Sequence, residues 1–190
     1  RTGFHLMAEN PLEARFRGIV PVERTAALFF YQKGNPSCDI IHHLKYRHKP
    51  DIGVCFGALL AQEAAPSGFF EGIDVLVPVP LSRKRRRSRG YNQAERIACG
   101  VSQVTGIPVS VSHLVRLHDN PTQTQQTQQE RLANTGSLFA VERPGELQGK
   151  HVLLVDDVVT TGSTLRACAE VLLACPGVRI SLLVLGCTVG

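Results

Sequence analysis

The residues best suited to chemistry lie in one string, VLLVDDVVTTGSTL, over residues 152–165. An apolar run ends in two adjacent carboxylates, Asp156 and Asp157. Thr160, Thr161 and Gly162 then make a turn, and Ser163 and Thr164 open an apolar-periodic stretch. The spacing predicts a buried strand, a turn and the first turn of a helix. A helix start presents unpaired N–H groups and the positive end of its dipole, which together favour a phosphate. Gly162 permits close backbone approach, and the hydroxyls of Thr160, Thr161, Ser163 and Thr164 add donors. Asp156 and Asp157 would repel that phosphate if they faced it. They must therefore serve another part of the same ligand, either hydroxyls or a metal ion. A sugar phosphate with its ribose diol beside the two carboxylates meets both demands. The plainer alternative is a solvated Asp pair followed by an N-capping Thr, which is common in its pieces but not as a whole string. The Gly-Lys-Ser/Thr of a nucleotide P-loop and the G-x-G-x-x-G fingerprint are both missing.

A second charged feature is RKRRRSR over residues 83–89, six basic residues in seven. The formal charge is +5, and outside this block the two signs nearly balance. Such a local block suits a polyanion, whether pyrophosphate, nucleotide or nucleic acid. For Lys84 to Arg87 a solvated basic face is the competing explanation, whereas Arg83 and Arg89 sit nearer the ends of the connection and are better candidates for phosphate contact. A third feature, DNPTQTQQTQQ over residues 119–129, has no apolar period. A segment of that kind inside a domain is either functional or a surface loop.

The elements that must position these residues alternate in period. Residues 38–46 and 51–64 read as helices, with Ser37 and Asp51 as candidate caps. Residues 74–80 (DVLVPVP), 107–111, 150–155 and 178–185 read as strands, and 92–104 and 163–174 as helices. Strands alternating with helices argue for right-handed crossovers and a parallel sheet. Residues 1–36, broken by Pro11, Pro21, Gly34 and Pro36, read as a loosely structured arm packing on a domain over 37–190. The apolar share of 43% can fill a core. No stretch approaches the roughly 18 to 20 apolar residues of a membrane span, and the N-terminus does not read as a signal peptide. The six cysteines form no C-x-x-C pair. They are expected to be reduced core residues of a cytoplasmic protein.

The string over 152–165 resembles the motif by which type I phosphoribosyltransferases bind 5-phosphoribosyl-1-pyrophosphate (PRPP). The strings HHLKYR (42–47), VPVPLSRKRRRSRGYNQAE (77–95) and TQTQQTQQERLAN (122–134) resemble the ComF family in particular, a bacterial group associated with competence for DNA uptake. The resemblance runs from about residue 16 to near the end of the chain. It implies an α/β fold of the type I phosphoribosyltransferase kind, a parallel sheet flanked by helices, with a mobile lid loop and an N-terminal arm. It also implies a glycosyltransferase displacing pyrophosphate from C1 of PRPP, with Mg²⁺ as cofactor held through ligand oxygens and water rather than directly by protein. On this resemblance Asp156 and Asp157 hold ribose hydroxyls and metal waters. Thr160, Thr161, Gly162, Ser163 and Thr164 take the 5-phosphate. Pro78, Val79, Pro80, Arg83 and Arg89 meet the pyrophosphate. Gln123, Arg131 and Asn134 belong to the lid, where Gln126 replaces the usual Leu. Lys45 and Tyr46 match the family without an evident role. The N-terminal zinc module that family members often carry lacks its cysteines here.

Three functions follow as expectations. The first is an enzyme transferring phosphoribosyl to a nitrogen acceptor that the sequence does not identify. The second is a non-catalytic module that binds PRPP or a nucleotide and assists DNA uptake. The third is a protein that holds single-stranded DNA on residues 83–89, with only Tyr91 nearby for stacking. A protein of the competence machinery and a second copy of the chain, in a homodimer, are further partners held open. His113, His118 and His151 are not assigned as a general base.

Overall fold

The alternating apolar runs assemble into a four-stranded parallel sheet in a computed structural model, which describes residues 1–32, 34–46, 49–117 and 138–188. Its strands are β1 (Thr25–Phe30), β2 (Val75–Pro78), β5 (His151–Val159) and β6 (Arg179–Cys187), in the order β1-β6-β5-β2. A separate antiparallel pair is formed by β3 (Leu114–Arg116) and β4 (Phe139–Val141). The helices are α1 (Pro11–Ala14), α2 (Pro36–Tyr46), α3 (Pro50–Ala64), α4 (Arg83–Arg89), α5 (Gln93–Thr105) and α6 (Ser163–Leu173).

The central strands are buried on both faces, as crossover helices require. On one face Leu28, Leu76, Leu153, Val155 and Leu183 pack against Leu44 of α2, Leu60 of α3 and Ile97 of α5. On the other, Val77, Val152, Leu154 and Val184 meet Leu172 of α6, Leu12 and Phe16 of the N-terminal segment, and Leu114 and Phe139 of the small hairpin. Each such Leu taken fully out of water contributes roughly 2 kcal/mol. Helices α3 and α5 approach unusually closely because glycines line their crossing. A Cβ on Gly57 would lie 2.2 Å from the Ile97 carbonyl oxygen, and one on Gly100 would lie 2.1 Å from that of Val54.

The expected strands and helices are present with shifted ends, and several expectations need correction. Residues 1–36 are not a loose arm throughout. The segment TAALFF forms β1, pairs in parallel with β6, and is buried at five of six positions. The five unbroken apolar residues from Ala26 to Phe30 carry no period to mark the strand, and its pairing partner lies at the far end of the chain. The expected strand over 107–111 reduces to a single bridge between Val109 and Leu76, since Pro108 has no N–H to donate. The basic block, read as part of a loop, is a short helix. Ser82 caps it through Arg85 N–H, and Gly90 stops it at φ 79°. The cysteines are free thiols, but only Cys168, Cys175 and Cys187 are buried; Cys55 is exposed on α3. Neither candidate cap acts as one: α2 already includes Ser37, whose hydroxyl donates to Phe30 O at 2.8 Å, and Lys49 precedes α3.

Candidate functional site

The carboxylates lie inside β5, not beyond it, for Asp156 still pairs with Val184 and Val158 with Gly186. Period two therefore turns them to opposite sides of the sheet. Asp157 faces α2, where Lys45 Nζ lies 3.1 Å from its Oδ2. Asp156 lies toward α6, close enough for its charge to raise the buried Cys168 thiol further, after burial has already raised it. The backbone completes the pair: Asp157 N–H donates to Asp156 Oδ1 at 2.8 Å, and Val158 N–H to Asp157 Oδ1 at 2.7 Å. Burial, and then the charge of Asp157, push the Asp156 carboxyl up to about 8, against the opposing pull of the Asp157 N–H and Lys45.

These groups open on a cavity of about 250 Å³ beyond the carboxyl ends of β5 and β2, where open α/β sheets bind ligands. Lys45, Arg85, Arg89 and Arg116 line it together with Asp156 and Asp157. Its cations thus outnumber its carboxylates, which favours a ligand of several negative charges that also carries hydroxyls. A smaller concavity of about 40 Å³ runs along Thr160 to Leu165 and shares Asp156, Thr160 and Thr164 with the first. There Gly162 adopts φ 81° and caps α6 without a side chain of its own, and of the first-turn N–H groups that of Ser163 donates to Thr161 Oγ1 at 3.4 Å. The Thr161 and Ser163 hydroxyls lie 3.1 Å apart. A larger hollow of about 470 Å³ runs along residues 16–22, but among the described residues Glu13 and Arg17 are its only charged lining, so the polar groups converge elsewhere.

The structure brings Asp156, Asp157, Thr160, Thr164, Val79, Pro80 and Arg89 to the main cavity, and Thr161, Gly162 and Ser163 to its smaller neighbour. Pro78 is buried within β2, and Arg83 is exposed at the start of α4; neither lines the cavity. The reason for the second is helical. Arg85 and Arg89 stand four residues apart on the face that looks inward, while Arg83 falls on another. Gln123, Arg131 and Asn134 lie outside the described residues.

Several cavity residues lie in strings that the sequence singled out but to which it gave no role. Lys45 reaches Asp157 from a different helix, and Tyr91 braces that helix by donating its phenol O–H to Leu44 O. Asn92, buried, caps α5 through Ala94 N–H and donates to Val79 O at 2.9 Å, tying the turn after β2 to the helix start. Gln93 accepts from Arg89 at 2.8 Å, which fixes that guanidinium at the cavity wall. The pattern YNQ could have suggested a cap at Asn92, but the contact with Val79 depends on the fold.

Among the described residues no cluster of three or more His, Cys, Asp or Glu could hold a metal, and no helix is long and apolar enough to cross a membrane. His151 is buried in β5 with Nε2 2.9 Å from Ser181 Oγ, and His113 sits between Ser110 and Glu146; neither lines the cavity.

Comparison with known proteins bears on the family and the fold. Residues 60–185 match the phosphoribosyl transferase domain family. The DNA utilization protein YhgH of Salmonella typhi is 32% identical over 137 residues, covering 70% of this chain and 60% of the relative. The competence protein ComFC of Bacillus subtilis is 36% identical over 99 residues, covering 52% of this chain and 38% of that protein. The chain thus spans about three-fifths of the YhgH length that it matches. Among solved structures, the glutamine PRPP amidotransferase of B. subtilis, complexed with ADP and GMP, superposes with TM-score 0.50 at 23% identity, over 74% of this chain and 30% of that one. That likeness concerns the fold, a parallel sheet flanked by helices of the type I phosphoribosyltransferase kind. The chain belongs to the phosphoribosyl transferase domain family, and within it to the ComF-like group that its sequence strings resemble.

Proposed function

We propose that the chain binds PRPP in the cavity at the carboxyl ends of β5 and β2 and transfers its phosphoribosyl group to a nitrogen acceptor. The observation that carries this reading is the placement of two carboxylates between a helix start with hydroxyl donors and a wall of cations. The 5-phosphate takes the first turn of α6 with Thr160, Thr161, Gly162, Ser163 and Thr164. The ribose hydroxyls donate to Asp156 and Asp157, and the pyrophosphate lies toward Val79, Pro80, Arg85 and Arg89. In the reaction the C1–oxygen bond to pyrophosphate breaks, the leaving group keeps the electron pair, and the acceptor nitrogen forms the new bond to C1 as its proton passes to solvent. The chain contributes by holding the reactants in line and by neutralising the departing charge.

Two carboxylates fit a hard cation held through water better than one held directly, since Lys45 already occupies one side of Asp157. Mg²⁺ would accordingly arrive with the pyrophosphate and ribose oxygens, near Asp156 and Asp157, and supply charge neutralisation there.

Calorimetric titration with PRPP, with and without Mg²⁺, is the test. Magnesium-dependent binding is expected, and is lost in Asp156→Asn/Asp157→Asn while circular dichroism stays unchanged. Unaltered affinity in that double variant would remove the site assignment. Turnover with ammonia or a nucleobase would then identify the acceptor class. A second reading, a non-catalytic module assisting DNA uptake, is favoured by the outward face of α4. Lys84 and Arg87 are exposed there without ion pairs among the described residues. The relatives named for DNA utilization and competence point the same way. PRPP binding without turnover would select it.

A further inference from the structure

The turn from Thr160 to Gly162 has little internal support. Gly162 sits in the left-handed region, and a 3.1 Å contact between the Thr161 and Ser163 hydroxyls and a 3.4 Å bond from Ser163 N–H to Thr161 Oγ1 are its own side-chain ties. Support comes instead from the N-terminal segment. The Arg15 guanidinium donates to Thr160 O, to Thr188 O, and to Thr188 Oγ1 at 3.1 Å. Thr188 in turn donates its hydroxyl to Thr160 O at 3.3 Å and its N–H to Val159 O at 3.1 Å. Beside Arg15, the buried Phe16 ring lies under Gly162, so close that a Cβ there would meet its Cζ at 3.2 Å.

The segment is itself anchored. Buried Asn10 caps α1 through Leu12 and Glu13 N–H and accepts from Thr25 Oγ1 of β1 at 2.8 Å. A continuous path of contacts thus runs from the edge strand through α1 to the back of the turn.

We propose that Arg15 is a positioning residue for the phosphate end of the ligand, with Phe16 as the floor beneath it. This rests on the reading of residues 160–164 as the 5-phosphate site. A carbonyl oxygen facing that site would repel the anion. Arg15 holds the Thr160 carbonyl, leaving the N–H groups of the following turn to face the ligand. Its three hydrogen bonds among the described residues go to uncharged oxygens, none of which supplies a counter-charge, so its positive charge stands behind the phosphate. A ligand with a 5-phosphate therefore depends on Arg15, whereas one with only a pyrophosphate does not.

The full chain carrying Arg15→Met, Arg15→Lys or Phe16→Leu would be titrated with ribose 5-phosphate, PRPP and inorganic pyrophosphate. Arg15→Met is expected to weaken ribose 5-phosphate and PRPP by about tenfold or more, the scale of one charge-assisted hydrogen bond. Pyrophosphate affinity stays within a factor of about two, since no contact of Arg15 reaches its subsite. Arg15→Lys recovers part of the loss, and Phe16→Leu, which keeps the core filled, shows the same selectivity in smaller measure. Should Arg15→Met fail to fold, the other two variants decide. Equal ribose 5-phosphate affinity in wild type and variants overturns the proposal but leaves the phosphate site standing. Parallel loss of both ligands also overturns it, because that marks general loosening. No ribose 5-phosphate binding by the unaltered chain overturns the phosphate site and the proposal together.

Discussion

At the scale of single residues, the carboxylate pair stores a pH dependence whose sign follows from its burial. The Asp156 carboxyl, ordinarily near 3.8, holds its proton up to about 8 because burial and the neighbouring Asp157 charge both disfavour ionisation. Between those values the folded ligand-free chain binds a proton that the unfolded chain has released. Its stability therefore falls as pH rises from about 4 to about 8. Asp156→Asn removes that dependence, which denaturant midpoints at pH 5.5 and 8 would show; an equal slope in wild type and variant would refute the assignment. Binding has the opposite sense. Ribose hydroxyls donate to an ionised carboxylate, so PRPP affinity should rise over the same range, with proton release that calorimetry in buffers of different ionisation enthalpy would detect. Lys45 opposes the upward shift, so Lys45→Met should move the Asp156 titration higher still, as carboxyl NMR would register.

At the scale of elements, the site depends on how closely two helices can approach. Asn92 and Gln93 stand at the start of α5, and the depth of that helix against α3 is set by Gly57 and Gly100. An added methyl at either position would fall on a backbone carbonyl rather than on a side chain that can turn aside. Gly57→Ala or Gly100→Ala should cost about 1–3 kcal/mol or more, read as a lower denaturation midpoint, and should weaken PRPP by displacing the α5 start. A change of less than a few tenths of a kcal/mol would mean that the helices part freely. Here the sequence conveys the elements but not their contacts. The period of residues 92–104 announces a helix, and KHVLLV announces a strand, because burial on one side or both imposes its own spacing. The strand end is misleading, since Asp156 and Asp157 look like a boundary while β5 runs on to Val159. Polar residues are tolerated there because they face a cavity and not the core. Helix α4 is hidden for the opposite reason: its cap and its stop define it, with no apolar face to bury. Thr160 to Thr164 are legible as a turn and helix start because local chemistry shapes them. Lys45 and Arg15 are not, as each meets its partner only through the tertiary fold.

At the scale of the whole molecule, the charge is concentrated on one short helix at the mouth of the cavity. Six of the 21 basic residues lie within Arg83–Arg89, and the net charge of +5 disappears without them. The helix divides that charge between two surroundings. Arg85 and Arg89 line the cavity, and Arg86 pairs with Glu95 at 3.4 Å. Lys84 and Arg87, three residues apart, share the outward face and are exposed. If that outer face holds single-stranded DNA, its affinity must come from released counterions. Lys84→Gln/Arg87→Gln should then flatten the dependence of log affinity on log salt by about 1.4, or about 0.7 for each phosphate left without its cation. The same variant should leave PRPP affinity unchanged, since neither side chain reaches the cavity. Arg85→Gln/Arg89→Gln should do the reverse for PRPP, weakening it by removing cavity charge. Fluorescence anisotropy with a labelled single strand across a salt series, paired with PRPP calorimetry on the same preparations, separates the two faces. A salt slope unaltered by the outer pair would take the DNA contact away from α4. A PRPP affinity reduced by the outer pair would mean that the helix acts on small anions as one undivided field.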